Sequence, residues 1–422
     1  MESKKTIPFS PPDISDVEIE QVVAALKSGW ITTGPRVKEL EKKIAAWIDV
    51  GETKKGTPRC VCLNSQTACA ELALHLMGIG AASGGCAEDE VIVPAYTYTA
   101  SASVICHVGA KPVLIDCQKD SLEMDYDAVE RAVNEHTKAI IPVDLGGVPC
   151  DYDRIFAIVE KSRSKFHPCG EMQSSLGRVA VLADTAHALG AECKGKMIGN
   201  IADFSSFSFH AVKNFTTGEG GALTWRPIDG VSDDELYHKL QLLSLHGQSK
   251  DALAKTQVGA WEYDIVDTWY KCNMTDVAAA IGLGQFERYP AMLDRREQMI
   301  RRYDAALAPL GVRSLPHYTK DHRSSGHLYI TRVFRRDGTP LDDAARREII
   351  VRMAEAGIAC NVHYKPLPMH TAYKKLGYDI QDFPNAYAHF VNEITLPLYT
   401  RLTDEDVTTI IENYTRIVRL FI

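Results

Sequence analysis

Along the first half of the chain, short and mostly apolar runs alternate with segments whose apolar positions recur every three to four residues. The runs at 60–63, 91–93, 111–115, 139–143 and 179–183 have strand length and lack a polar face, as strands buried on both sides do. Between them the spacing predicts helices over 68–77, through Val104, and over 126–134. This alternation predicts an α/β fold, a mostly parallel central sheet with helices on both faces. Upstream, Val17, Val22, Val23, Ala25 and Leu26 predict a helix over 16–28, capped by Ser15 or Asp16 and ended by Gly29. Val37, Leu40, Ile44 and Ile48 resume helical spacing after the turn Trp30-Ile31-Thr32-Thr33-Gly34-Pro35. Trp30 there either packs a helix joint or touches a ligand.

After Trp225 the pattern turns helical, with apolar stripes over 276–289 and 293–307. A domain boundary is expected near Pro290, dividing a large domain, 1–290, with an N-terminal helical segment, from a smaller C-terminal α+β domain, 291–422. The latter carries a predicted strand at 328–334, a helix at 342–356 and a last helix opened by Thr403, whose T-x-x-D spacing to Asp406 resembles a capping box. Two polar or glycine-containing segments, 80–89 and 161–178, look inserted and are expected to be surface loops or lids.

Composition narrows the function. The 422 residues are 45% hydrophobic and 24% charged, ordinary for a globular protein too long for one small core. A net charge of −8 without a dense basic run argues against nucleic acid as partner. Eleven cysteines lie scattered without CxxC pairs, which predicts reduced, mostly buried thiols and no metal site. The opening MESKKTIPFSPPD has no apolar signal core and no window is apolar enough to span a bilayer, so no membrane partner and a cytoplasmic location are expected.

Candidate chemistry centres on 204–221, FSSFSFHAVKNFTTGEGG, where a strand-like alternation breaks into a loop with Lys213 and then a glycine cluster. A lysine at a strand mouth, with hydroxyls before it and glycines after, suits Schiff-base chemistry on a phosphorylated cofactor; a solvated surface lysine is the plain alternative. Ser65-Gln66-Thr67, between a strand and a helix, can cradle a phosphate or simply cap the helix. Asp184 ends a strand in VLADTAHALGA, where a carboxylate can hold a ring nitrogen protonated or cap a helix. Tyr98 follows a strand end and can stack on a planar ring or fill a core.

Taken together, SFHAVKNFTTGEGGA, ADTAHALGA, PAYTYTASA, SGWITTGPRVKELE and YKCNMTDVAAAIGLGQFER resemble, in order and over roughly 7–398, the DegT/StrS-type nucleotide-sugar aminotransferases, a branch of the fold-type I enzymes of pyridoxal 5′-phosphate (PLP). The resemblance implies PLP as cofactor, alternating with pyridoxamine phosphate (PMP). Lys213 would be the Schiff-base lysine and proton carrier, Asp184 the partner of the pyridine nitrogen, and His187 the neighbour of the phenolic oxygen. Ser65, Gln66, Thr67 and Ser208 would bind the phosphate, and Tyr98 would stack on the ring. It further implies a homodimer with shared sites, completed by Asn273 with Lys271 from the neighbouring subunit. Trp30 and Thr33 of the early motif would lie on the substrate side. So would His363, Tyr364 and Lys365, whose HYKPL resembles the family's sugar-nucleotide loop; a proline-stiffened turn is the alternative. The chain departs from the family in Ala183 and Thr185 around Asp184, where EDAAH is commoner, and in Cys272.

The implied activity is ping-pong transfer of an amino group from glutamate to a keto-sugar nucleotide, in amino-sugar biosynthesis for surface polysaccharide or secondary metabolites. A sugar dehydratase of the same family, whose members replace the lysine with histidine, is disfavoured by Lys213. A noncatalytic PLP-binding sensor is the third reading.

Overall fold

A computed structural model describes residues 6–53, 56–250 and 262–422. Its centre is a seven-stranded sheet in the order β1-β9-β8-β5-β4-β2-β3. The strands are β1 (Cys60–Leu63), β2 (Glu90–Pro94), β3 (Lys111–Ile115), β4 (Thr137–Ile140), β5 (Ala180–Asp184), β8 (Phe204–Ser208) and β9 (Gly221–Trp225). From β8 to β3 all pairings are parallel, and β9 alone runs against both of its neighbours, β8 and β1. The unbroken apolar runs follow from burial on both faces. Val61, Leu63, Val91 and Val93 point into one core, while Cys60, Cys62 and Ile92 point into the other.

The first face is covered by α3 (Gln66–Leu76), α4 (Ala100–His107) and α8 (Asp233–Ser244), whose Leu72, Val104 and Leu240 are buried there. The second is covered by α2 (Pro35–Trp47), α5 (Tyr126–Ala132), α6 (Tyr152–Lys161) and the start of α9 (Asp276–Leu307), through Leu40, Val129, Ile155 and Leu283. α1 (Asp16–Lys27) lies along α9 and opens with a capping box of Ser15 and Glu18.

The apolar stripes on either side of Pro290 belong to one 32-residue helix, α9, with Pro290 inside it. An interior proline removes one helical hydrogen bond, and burial on both sides holds the helix together. Tyr289, Met292 and Leu293 are anchored in the second core, and Met299, Ile300, Tyr303 and Leu307 in a third. That third core joins β10 (Val312–Ser314), β12 (Tyr329–Val333) and β13 (Glu393–Leu396), an antiparallel sheet, to α10 (Asp343–Glu355) and α13 (Asp404–Val418). Ile7 packs there too, bridged to Ile358. α13 starts at the expected capping box of Thr403 and Asp406. α11 (Thr371–Lys375) and α12 (Pro384–Asn392) send Tyr373, Ala386 and Phe390 into the first core, so the C-terminal segment is welded to the main sheet. A further small sheet pairs β11 (His322–Arg323) with β6 (Glu192–Cys193) and β7 (Lys196–Met197).

The two inserted segments are not lids over the carboxyl ends of this chain's own strands. Residues 80–89 lead into β2 and 161–178 into β5, so both lie at the amino ends of parallel strands. The second contains the short helix α7 (Glu171–Leu176), and its Gln173 Nε2 donates to the carbonyls of Met77 (3.0 Å) and Gly78 (3.1 Å) at the end of α3. Among the described residues no helix is long and apolar enough to cross a membrane.

Candidate active site

Parallel strands leave their carboxyl ends on one edge of the sheet, and the chain places its chemistry there. A cavity of about 360 Å³ is lined by Ser65, Gln66, Thr67, Tyr98, Asp184, His187, Ser208, Lys213, His363 and Tyr364, ten residues singled out from the sequence.

One end of the cavity is the start of α3. Ser65 caps it, its Oγ accepting from the Ala68 N–H at 3.1 Å. The first-turn N–H groups of Gln66 and Thr67 have no partner within the helix and carry its positive end. Strand β9 presses against this turn, and a Cβ on Gly221 would stand 2.5 Å from the Gln66 nitrogen, so only glycine fits. The Gln66 side chain serves the scaffold. Its Nε2 donates to Ser206 Oγ at 3.0 Å, and that hydroxyl donates to the Ala183 carbonyl at 3.2 Å, which ties α3 to β8 and β5. Ser208, the last residue of β8, brings a hydroxyl into the cavity.

Asp184, at the tip of β5, is buried. Ser101 Oγ donates to its Oδ2 at 2.6 Å and the Ala186 N–H to its Oδ1 at 3.1 Å. Burial raises its pKa; these two hydrogen bonds and the Lys213 charge oppose that rise. Thr97 Oγ1 lies 2.9 Å from Ser101 Oγ and continues the chain of hydroxyls. Lys213 stands in the loop after β8, partly buried, and burial brings its ammonium down to about 8 against the opposing pull of Asp184. A substantial neutral fraction near physiological pH makes it a competent nucleophile and base.

The facing wall is neutral. His187 Nδ1 accepts from the Gly146 N–H at 3.1 Å, which leaves the ring proton on Nε2, 3.2 Å from Tyr364 Oη. Its ring lies 4.3 Å from that of His327, whose Nδ1 is 2.9 Å from Asn214 Oδ1. Burial pulls both histidines well below their ordinary range. His363 is drawn down to about 4 by burial; its Nδ1 is 2.9 Å from Thr395 Oγ1 and its N–H donates to Glu393 at 2.8 Å. The Tyr98 ring, largely exposed, leans toward Tyr364 at 5.9 Å.

Five expected residues, Trp30, Thr33, Lys271, Asn273 and Lys365, do not line the cavity. Lys365 is exposed next to Tyr364. Trp30, Thr33 and Asn273 form a separate cluster at the end of β1. Asn273 Nδ2 donates to Thr33 Oγ1 at 2.6 Å, Thr33 Oγ1 to the Met274 carbonyl at 2.6 Å, and Trp30 Nε1 to the Thr33 carbonyl at 3.2 Å. Asn273 bridges Leu63 and Lys271 contacts Asn273 Oδ1, so the cluster adjoins the cradle from outside. The indole also covers Gly34, the joint between α1 and α2. Conversely, Thr97, His210, Val212 and Glu219 line the cavity, and Ser101 and His327 support it, without having stood out in the sequence. Thr97 and Ser101 both lie in PAYTYTASA, after β2, which β4 separates from the strand of Asp184.

A helix amino end with free first-turn N–H groups, a lysine with a lowered pKa and a buried carboxylate around one cavity fit a flat, phosphate-bearing heterocycle with an aldehyde, as PLP is. Comparison with known proteins agrees. Over 99% of this chain and 100% of its own, Spr1654 of Streptococcus pneumoniae, a proposed sugar aminotransferase solved in its PMP form, superposes with a TM-score of 0.91 at 53% identity. Its PLP form gives the same TM-score at 51%. The spore coat polysaccharide biosynthesis protein SpsC of Bacillus subtilis (strain 168) is 37% identical, covering 98% of this chain and 97% of its own. The UDP-4-amino-4-deoxy-L-arabinose–oxoglutarate aminotransferase of Shewanella sediminis is 32% identical, covering 99% of each. The model of the DegT/DnrJ/EryC1/StrS aminotransferase family matches residues 12–415, and with a fold and a site of this construction the chain belongs to that family.

Proposed function

We propose that this protein is a PLP-dependent aminotransferase that carries an amino group from L-glutamate to a keto-sugar nucleotide in amino-sugar biosynthesis. The observation that carries the reading is the meeting of Lys213 and Asp184 in one cavity with the cradle of α3. The relatives support its direction. Spr1654 has been solved with both cofactor forms, and the Shewanella enzyme is named for oxoglutarate, the keto acid of glutamate, and for a UDP-sugar.

When bound, PLP supplies an aldehyde that condenses with amines and a ring that accepts the electron pair released at the substrate carbon. The protein's part follows from its own groups. The N–H groups of Gln66 and Thr67, with the Ser65 and Ser208 hydroxyls, hold the phosphate. Asp184, hydrogen-bonded by Ser101 and Ala186, would pair with the ring nitrogen and hold it protonated. Lys213 would supply the amine that holds the aldehyde-bearing cofactor and, as a base of lowered pKa, would carry the proton that transamination moves. His187 presents an Nε2 proton to the phenolic oxygen, and Tyr98 covers the ring face. Trp30, Thr33, His363, Tyr364 and Lys365 would meet the sugar nucleotide, and Asn273 with Lys271 would complete the site of a second subunit in a homodimer. Residues 1–290 would form the cofactor domain and 291–422 the smaller one.

The test is a two-stage assay on the PLP-loaded protein. Glutamate alone should convert it to the PMP form with release of 2-oxoglutarate, and a panel of keto-sugar nucleotides should then reverse that conversion for at least one member. PLP binding without conversion by glutamate would favour a sensor. Water loss from a sugar nucleotide would favour a dehydratase, against which the lysine at 213 stands.

A further inference from the structure

The two inserted segments meet at the edge of the sheet remote from the cavity, and each brings one exposed cysteine. Cys86 lies in the first and Cys169 in the second. The two sulfurs and a carboxylate oxygen of Asp89 all lie within 4.8 Å of one another. Each cysteine is held in place by a buried polar side chain. Asp89 Oδ2 accepts the Cys86 N–H at 3.0 Å and the Gly80 N–H at 2.9 Å. Gln173 Oε1 accepts the Cys169 N–H at 3.0 Å, while its amide is fixed to the Met77 and Gly78 carbonyls. Asp89 and Gln173 are 2% and 1% exposed. Both cysteine backbones are thus tied to buried side chains while their sulfurs stay close together.

A metal ion is disfavoured by the same neighbours. The remaining Asp89 oxygen faces the buried ammonium of Lys138 at 3.9 Å, and that ammonium also donates to the His167 carbonyl at 2.6 Å. A cation would lie against Lys138 and find two free sulfurs, where a structural zinc takes four ligands. Two accessible thiols in contact are instead suited to oxidation. The neighbouring Cys169 thiol raises the pKa of Cys86. Cys60 and Cys62 also neighbour each other, but both are buried in β1, out of reach of an oxidant.

We propose that Cys86 and Cys169 form a reversible disulfide, a modification site that staples the two insertions together without touching the active site. The oxidant is a low-molecular-weight disulfide such as glutathione disulfide. One cysteine thiolate attacks it, forming a mixed disulfide and expelling one glutathione thiolate; the other cysteine then attacks the protein-bound sulfur and expels the second. Two protein thiols are oxidised, one glutathione disulfide is reduced to two glutathiones, and the two thiol protons pass to them.

The experiment treats the PLP-loaded protein with glutathione disulfide, blocks free thiols and maps peptides without reduction. The expected result is a peptide pair joining Cys86 to Cys169 and the loss of two alkylatable thiols. Trypsin fragments produced by cutting at the exposed Arg163 or Lys165 should also stay joined until reductant is added. Turnover should stay within about twofold, since the pair lies at the opposite strand ends. Cys86→Ser and, independently, Cys169→Ser should abolish the cross-link and leave turnover of the untreated protein unchanged. Glutathione left on each cysteine with no cross-link would overturn the proposal. So would one equivalent of Zn²⁺, added alone, binding the reduced protein and lost in both serine variants.

Discussion

The two sides of the cavity are built on different electrostatic terms. The side made by the ends of β5 and β8 and the start of α3 holds the ionic groups: Asp184, Lys213 and a helix amino end. The facing wall, made by His187, His363 and Tyr364 with His327 packed against His187, is desolvated to neutrality. Charge is therefore concentrated on the side that carries Asp184, Lys213 and the amino end of α3. The opposite wall offers hydrogen bonds of fixed direction, such as His187 Nε2 to Tyr364, without a competing cation beside Lys213. A protonated histidine there would further disfavour the lysine's ammonium and attract the phosphate away from its cradle.

The largest effect should come from the ionic side. Lys213→Ala is expected to lower turnover by about 10³-fold or more, the scale of losing a positioned nucleophile and base, and to abolish the lysine-dependent visible absorption of bound PLP. Asp184→Asn keeps the shape and removes the charge; a loss of about 10²–10³-fold in kcat is expected with the cofactor still bound, checked by steady-state kinetics. Gly221→Ala should weaken PLP binding by about 10-fold or more, measured by equilibrium titration, because the new methyl group meets the first turn of α3. The neutral wall should be more forgiving: His187→Phe is expected to cost about 10-fold, one hydrogen bond at an ionising oxygen. A loss as large as that of Asp184→Asn would erase the contrast between the two sides.

The pH dependence sharpens it further. The neutral amine is the reactive form, so the rate at which apoprotein captures PLP should rise with pH, with its midpoint near the Lys213 value of about 8. Asp184 raises that value, so Asp184→Asn should move the midpoint down; His187→Phe should move it little, since the ring it removes is neutral.

Much of the ionic side was legible because it is local. A strand end followed by SQT, a strand end in Asp184 and a strand followed by a lysine loop each occupy a few consecutive residues, and parallel topology sends all such ends to one edge. Ser101 was not legible as a partner of Asp184, because a serine in the first turn of a helix reads as an ordinary cap. His327 carries no motif at all and reaches His187 only through the packing of the C-terminal segment. Pro290 lies inside one continuous helix, α9, because two cores flank it and hold both halves.

By itself, then, the order of apolar runs and helical stripes determined the α/β architecture and the caps of α1 and α13, and it put Ser65-Gln66-Thr67, Asp184 and Lys213 at or just after strand ends. Periodicity and short-range hydrogen bonding are properties of neighbouring residues, so the sequence carries them directly. Only the tertiary structure decided which histidines stand neutral opposite Lys213. It also decided that Trp30, Thr33 and Asn273 gather outside this chain's cavity, and that the two insertions meet at Cys86 and Cys169. Those outcomes depend on desolvation and on contacts between residues far apart in the chain, quantities that exist only once the chain has packed.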